Sequence, residues 1–138
     1  MNKAVFLDRD NTLIRDKGYT YKTDDLHWIP GSIKCLQSFS SKGYLLVVIT
    51  NQSGVARGYY KEKDLHKFHS HMNVDLFKQA NISIDKFYYC PHYIDGKISK
   101  YRKKCDCRKP GNKLLKQAII ELLIDSERSI VIGDRISD

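Results

Sequence analysis

A doubly wound α/β domain on a parallel sheet is the fold this sequence predicts, and three observations carry the prediction. Four short apolar runs, rich in β-branched and aromatic residues, alternate with segments whose apolar residues recur at helical spacing. Strands alternating with helices imply crossover connections and hence parallel pairing. Polar residues with chemical potential cluster where the runs stop, at the carboxyl ends of strands, where such sheets bind ligands.

The elements follow in order. The first strand is expected at about residues 3–7, and the first helix carries Ile33, Leu36 and Phe39 on one face. A second strand at about 44–49 precedes a helix striped by Leu65, Phe68, Met72 and Leu76. A third strand at about 85–89 is followed by a helix carrying Leu114, Leu115, Ala118, Ile119, Leu122 and Leu123, and a fourth strand lies at about 129–132. The 138 residues, 1–138, are expected to form a single domain. The chain ends six residues after the fourth strand, where another helix and edge strand are usual, so a last helix and strand are expected to be missing. That loss would leave Val131 exposed at a sheet edge.

Composition narrows the function. An apolar fraction of 41% and a charged fraction of 29% suit a water-soluble globular protein, and no apolar stretch approaches the ~18 residues of a membrane span. No signal peptide is visible, so no membrane is expected as partner and the cytoplasm is the default location. The net charge of +8 fits a nucleic acid, an acidic small substrate or a solvated surface equally well. Position favours the small substrate: Arg9, Arg57, Arg108, Lys109 and Arg135 all fall beside predicted strand ends. No basic helix or stacking row of aromatics supports nucleic-acid binding, and a monomer is expected.

The chemistry begins at Asp8 and Asp10. In an extended chain, residues two apart point the same way, so one carboxylate can attack while its neighbour handles a proton. Asp8 is the expected nucleophile and Asp10 the acid and base. Phosphoryl transfer needs charge stabilisation on the equatorial oxygens. Thr50, with the backbone N–H groups of the turn through Asn51, Gln52, Ser53 and Gly54, can donate to one oxygen, and Lys109 can neutralise another. A carboxylate and a phosphate dianion repel each other, so a divalent cation is required. Mg²⁺ suits the carboxylates of Asp8 and Asp134 and the backbone carbonyl of Asp10. Each motif alone is a plausible turn or loop, and only their joint order at successive strand exits speaks for catalysis. Asp138 either supports the metal from behind or, as the last residue, is solvated.

A second constellation joins Cys90 and His92, twelve residues on, to Cys105 and Cys107. Three thiolates and an imidazole are the right number and softness for tetrahedral Zn²⁺, and with all four positions filled by protein the site would be structural. The rival is a disulfide, which a cytosolic setting disfavours. Zinc would staple the lysine-rich stretch 93–104 within a loop over 90–107. Cys35 is expected as a small buried hydrophobe of the first helix, and His66, His69 and His71 on a solvated face of the second. His27 and Trp28 fall in a loop of no readable role.

Taken together, Asp8-Arg9-Asp10, Thr50 through Gly58, Cys90-Pro91-His92, Cys105-Asp106-Cys107-Arg108-Lys109-Pro110 and Gly133-Asp134-Arg135 resemble the haloacid dehalogenase (HAD) superfamily. The likeness is to its small capless, zinc-bearing group of histidinol-phosphate and sugar-phosphate phosphatases, and covers the whole chain. Within that group the pattern is most similar to the D-glycero-D-manno-heptose 1,7-bisphosphate 7-phosphatases. The resemblance implies a HAD-like Rossmannoid fold and a Mg²⁺-dependent phosphatase working through an aspartyl-phosphate, in the pathway to nucleotide-activated heptose for surface polysaccharide. It assigns Asp8, Asp10, Thr50 and Lys109 to catalysis, Asp8, Asp10 and Asp134 to Mg²⁺, and Cys90, His92, Cys105 and Cys107 to Zn²⁺. It places the sugar phosphate against Asp16, Lys17, Gly18, Tyr19, Asn51, Gln52, Ser53, Arg108 and Arg135. Arg108 is suited to grip a second phosphate bidentately.

Two departures keep alternatives open. Asn11 stands where glycine is usual, a position Asn tolerates. The run Gly111-Asn112-Lys113-Leu114 is about one residue short of the heptose pattern and resembles the histidinol-phosphate type. Histidinol-phosphate phosphatase, a truncated inactive relative and a zinc-containing nucleic-acid module are the competing readings.

Overall fold

A computed structural model describes residues 1–105, 107 and 111–133. Four strands, β1 (Ala4–Leu7), β2 (Leu45–Asn51), β3 (Lys86–Cys90) and β4 (Ile130–Ile132), form one parallel sheet in the order β3-β2-β1-β4. The expected α/β fold is therefore present. The order reverses at β1: the chain winds outward through β2 and β3, then returns to place β4 on the other side of β1. Ligand crevices of such sheets open at that reversal, at the carboxyl end of β1.

Alternation along the strands builds two cores. Val5, Leu7, Leu46 and Val48 face one side, where they pack with Leu36 of α1 (Ser32–Ser41) and Phe68, Met72 and Leu76 of α2 (Glu62–Ala80). Ala4, Phe6, Val47 and Ile49 face the other, against Leu114 and Ala118 of α3 (Lys113–Glu121) and against Cys90 and Cys107. Burial on both faces is why β1 reads as an unbroken apolar run. Asp64 accepts a hydrogen bond from the Lys61 N–H at 2.9 Å and so satisfies one of the open donors where α2 begins.

Several local expectations change. The chain stops being helical at Glu121, and Leu123, expected on the apolar stripe, takes a left-handed φ of 52° and is 67% exposed. Cys35 is only partly buried. His69 is buried, not solvated, with its ring stacked on Phe87. Trp28 joins the core on the α2 side and donates its indole N–H to Asp75 at 2.7 Å, tying the loop after β1 to α2. Val131, at 53% exposure, does lie open on the edge strand. No helix among the described residues is long and apolar enough to cross a membrane.

Candidate active site and the cysteine–histidine cluster

At the end of β1 the chain bends at once. Leu13 and Ile14 both donate to the Arg9 carbonyl, at 2.9 and 3.2 Å, and Asn11 sits at φ 61°, the left-handed geometry Asn accepts more readily than most residues. Asp10 therefore opens a turn rather than extending the strand from Asp8. Asp8 remains tied to the sheet through its N–H, which donates to the Ile132 carbonyl of β4 at 3.1 Å.

The residue between the acids organises the site. Where the chain bends, Arg9 turns inward, and its side chain is completely buried. The Nε donates to Asp10 Oδ1 at 2.8 Å and Nη2 donates to the Thr20 carbonyl at 2.8 Å and to Gln52 Oε1 at 3.4 Å. Nη1 lies 3.1 Å from His69 Nε2, and the guanidinium carbon lies 5.0 Å from the centre of the Phe68 ring. The expectation that Arg9 holds a phosphorylated ligand gives way: its guanidinium is spent on protein groups, which is how a buried charge is kept.

Gln52 is the second organiser. It is 2% exposed, and its Nε2 donates to Asp10 Oδ2 at 3.2 Å and to Thr50 Oγ1 at 2.9 Å. Its Oε1 accepts from the Tyr60 hydroxyl at 2.5 Å and from Arg9. All four hydrogen-bonding positions of the amide are used, so the residue placed against the substrate by sequence acts inside the fold. Tyr60 is pushed above its ordinary value by burial, and stays a donor to this oxygen. Gly54 allows the approach, because a Cβ there would collide with the Tyr60 ring.

Among the other expected substrate residues, Asp16 closes its own loop. Its Oδ1 accepts from the Gly18 N–H at 3.1 Å and from the Thr20 hydroxyl at 3.1 Å. Lys17 is exposed and pairs with Asp25 at 3.7 Å. Tyr19 is exposed and meets Tyr59 edge-on at 4.9 Å. Asn51 ends β2 opposite Cys90. Ser53 Oγ accepts from Arg57 Nε at 3.3 Å, and the Arg57 guanidinium lies 4.0 Å from the Tyr93 ring centre and 5.4 Å from that of Tyr19. Arg57 thus bridges the loop after β1 and the loop after β3. Arg108, Lys109, Asp134, Arg135 and Asp138 lie outside the described residues.

The donors expected for Mg²⁺ fit that ion as far as they are described. Asp8 and Asp10 are half-buried oxygen donors at the switch point, and β4, which leads toward Asp134, is hydrogen-bonded to Asp8.

From the end of β3 onward, beside the core that holds Phe6 and Leu114, Cys90, His92, Cys105 and Cys107 bring one ligand atom each to within 4.8 Å of one another. His92 Nδ1 lies 3.7 Å from Cys90 Sγ and 3.2 Å from Cys107 Sγ, and Cys105 Sγ lies 2.9 Å from Cys107 Sγ. Burial, then the charges of Lys103 and Lys113, lower the His92 pKa and favour the neutral ring that can ligate. The set fits Zn²⁺ in number, softness and convergence. The sulfurs of Cys90 and Cys107 also stand in disulfide contact, so both expected readings meet on these atoms. The loop they close is docked elsewhere too: the Ile98 N–H donates to the Ala56 carbonyl at 2.9 Å, and Gly96 lies so close to Ala56 that a Cβ would clash.

A parallel sheet with an acid pair leaving its central strand, and hydroxyl and amide groups leaving the next, is the architecture of HAD-type phosphatases. The chain is such a phosphoric monoester hydrolase. The sequence model of the polynucleotide kinase 3 phosphatase family matches residues 3–137, and the chain belongs to this family. It is 46% identical to the D-glycero-beta-D-manno-heptose-1,7-bisphosphate 7-phosphatase of Haemophilus ducreyi, over 99% of this chain and 74% of that protein. It is 44% identical to the corresponding alpha-heptose enzyme of Campylobacter jejuni, over 99% of this chain and 73% of that protein. Among solved structures, the D,D-heptose 1,7-bisphosphate phosphatase of B. bronchiseptica, complexed with magnesium and phosphate, superposes with a TM-score of 0.84 at 28% identity, over 98% of this chain and 72% of that one. A chain from Mesorhizobium loti assigned to the HAD-like phosphatases gives a TM-score of 0.92 at 28% identity, and this chain spans 65% of its length.

Proposed function

We propose that this chain is a Mg²⁺-dependent sugar phosphatase that removes the 7-phosphate of D-glycero-D-manno-heptose 1,7-bisphosphate through a phosphoaspartate on Asp8. The observation that carries the chemistry is the fixed carboxylate of Asp10: Arg9 holds one oxygen and Gln52 the other, while the same Gln52 amide holds Thr50. Two strand exits are thereby locked into one constellation. Similarity to the heptose enzymes of Haemophilus ducreyi and Campylobacter jejuni supports the substrate.

In the first half-reaction an Asp8 oxygen bonds to phosphorus as the ester P–O bond breaks, and Asp10 gives its proton to the departing sugar oxygen. In the second, Asp10 takes a proton from water as that water attacks phosphorus, and the bond to Asp8 breaks. Each Asp10 oxygen keeps a lone pair beyond its fixed hydrogen bond, so the group is aimed without losing its capacity to carry the proton. The Thr50 hydroxyl donates to a phosphoryl oxygen and Lys109 neutralises another. When bound, Mg²⁺ at Asp8, Asp134 and the Asp10 carbonyl screens the repulsion between nucleophile and phosphate. Asp16 to Tyr19, Asn51, Ser53, Arg108 and Arg135 form the sugar-phosphate surface, with Arg108 on the second phosphate. Zn²⁺ on Cys90, His92, Cys105 and Cys107 serves structure alone, in a cytoplasmic monomeric enzyme.

Purified protein with Mg²⁺ is to be assayed for phosphate release from the heptose bisphosphate and from histidinol phosphate in parallel. The expected result is a preference for the heptose ester and, in Asp8→Asn, a loss of roughly 10⁴-fold or more. Preference for histidinol phosphate would replace the substrate assignment, and undiminished turnover in Asp8→Asn would overturn the mechanism.

A further inference from the structure

The buried contacts behind Asp10 extend further than the acid–base step itself requires. Arg9 carries five N–H donors and no acceptor, so the His69 nitrogen facing it must present a lone pair. That fixes one tautomer, with the proton on Nδ1. The ring is pinned as well: it stacks on Phe87 of β3 at 4.1 Å with an interplanar angle of 9°, and is 5% exposed. Burial, then the charges of Arg9 and His66, push the His69 pKa down to about 2, so the acceptor persists at any ordinary assay pH. Arg9 in turn is fixed by Thr20 and Gln52 at its other nitrogen before its Nε reaches Asp10.

We propose that His69, Arg9 and Asp10 form a buried line in which His69, on α2, and Arg9 are positioning residues that set the aim of the proton-transferring carboxylate. His69 touches no reacting group. It acts by closing the one end of the guanidinium that neither Thr20 nor Gln52 holds, so that rotation of Arg9 away from Asp10 is opposed from behind. The proposal rests on the acid role assigned above to Asp10, and its test separates the two.

A misaimed acid matters in proportion to how badly the leaving oxygen needs a proton. Aryl phosphates graded from phenyl phosphate to para-nitrophenyl phosphate, assayed by kcat/KM with Mg²⁺, vary that need while leaving the phosphoryl group unchanged. Loss of an accessory anchor is expected to cost about tenfold on phenyl phosphate and less than about twofold on para-nitrophenyl phosphate in His69→Leu, a fraction of what general acid catalysis is worth. His69→Gln keeps an acceptor near the Nε2 position and should restore the shallow wild-type dependence. Arg9→Met should steepen it further. If Arg9→Met cannot be recovered folded, the His69→Leu and His69→Gln pair decides alone.

Equal losses on all esters, or none, in His69→Leu would overturn the positioning role, since a merely structural defect lowers every substrate alike. Asp10→Asn supplies the separation. A steep dependence in Asp10→Asn with a wild-type slope in His69→Leu sinks this inference only. A shallow dependence in Asp10→Asn sinks the acid assignment and this inference with it.

Discussion

The acid end of the sheet and the cysteine–histidine loop lie on one molecule and are held by opposite means. Around Asp10 every partner is supplied by the fold: Arg9, Gln52, Thr50 and Tyr60 are buried or half-buried and satisfied by one another across β1, β2 and the segments that follow. The described residues of the loop after β3 are tied in another way. Ile98 bonds to Ala56, Tyr93 to Tyr101, and Glu62 of α2 accepts from the hydroxyls of Tyr89 and Tyr101 at 2.5 Å each. To these it adds four convergent ligand atoms, one each from Cys90, His92, Cys105 and Cys107. One region is held by buried hydrogen bonds alone; the other combines such bonds with a converging set of metal-type ligand atoms.

That contrast is broken most forcefully at Cys105. A structural zinc uses it equally with Cys90, whereas a Cys90–Cys107 disulfide leaves it free. Binding to the folded state alone at a thousandfold excess over Kd contributes about 4 kcal/mol, so chelation or Cys105→Ser should lower thermal stability by that order, with reductant harmless. Elemental analysis should give one zinc per chain. If Cys105→Ser unfolds normally while reductant lowers Tm, the loop is closed by the disulfide instead.

The packed region is tested at Gln52. Gln52→Leu keeps the volume and leaves Asp10 Oδ2, Thr50 Oγ1 and the Tyr60 hydroxyl each short of one partner. Unsatisfied buried polar groups cost about 1–3 kcal/mol each, so a net destabilisation of roughly 2–4 kcal/mol is expected by denaturant titration. Turnover should fall with the substrate KM nearly unchanged, because the amide contacts the catalytic groups and has no position left for ligand. A rise in KM with kcat intact would return Gln52 to the substrate surface.

The same contrast explains what the residues revealed in advance. The strands and helices were legible because β1 and β2 are buried on both faces, which writes unbroken apolar runs, and α1 to α3 on one, which writes helical periodicity. The meeting of Cys90, His92, Cys105 and Cys107 was legible from residue type and spacing, because three thiols and an imidazole in two close pairs are a ligand-type set. Arg9 and His69 were not. A basic residue between two acids reads as a ligand contact, and a histidine among Lys67, Ser70 and His71 reads as solvated. Only tertiary packing, which brings β1, α2 and Phe87 of β3 together, shows that each buries the other. One signal was available: Arg9 stands two residues past Leu7, whose side chain lies in the core shared with Phe68 of α2.

The smallest effect expected is also the cleanest sign test of the packed region. His69 is neutral in the fold with its pKa near 2, against an ordinary value of 6.5, because burial and the facing charges of Arg9 and His66 disfavour its cation. Phe68 and Phe87 offer it no counter-charge. Below pH 6.5 the unfolded chain takes up a proton that the folded chain refuses. This contribution to stability is therefore complete above that value and declines as pH falls. Between pH 6.5 and 5 the loss from this one residue is about 1.7 kcal/mol, from the linkage relation integrated from the half-titrated point of the unfolded chain. Tm measured at both pH values should fall more in the wild type than in His69→Gln, which has no group to titrate there. His92, whose pKa is also lowered by burial, adds to the absolute slope and cancels in the difference. Equal slopes in the two proteins would mean that His69 accepts its proton inside the fold, and that Arg9 does not hold it as the packing requires.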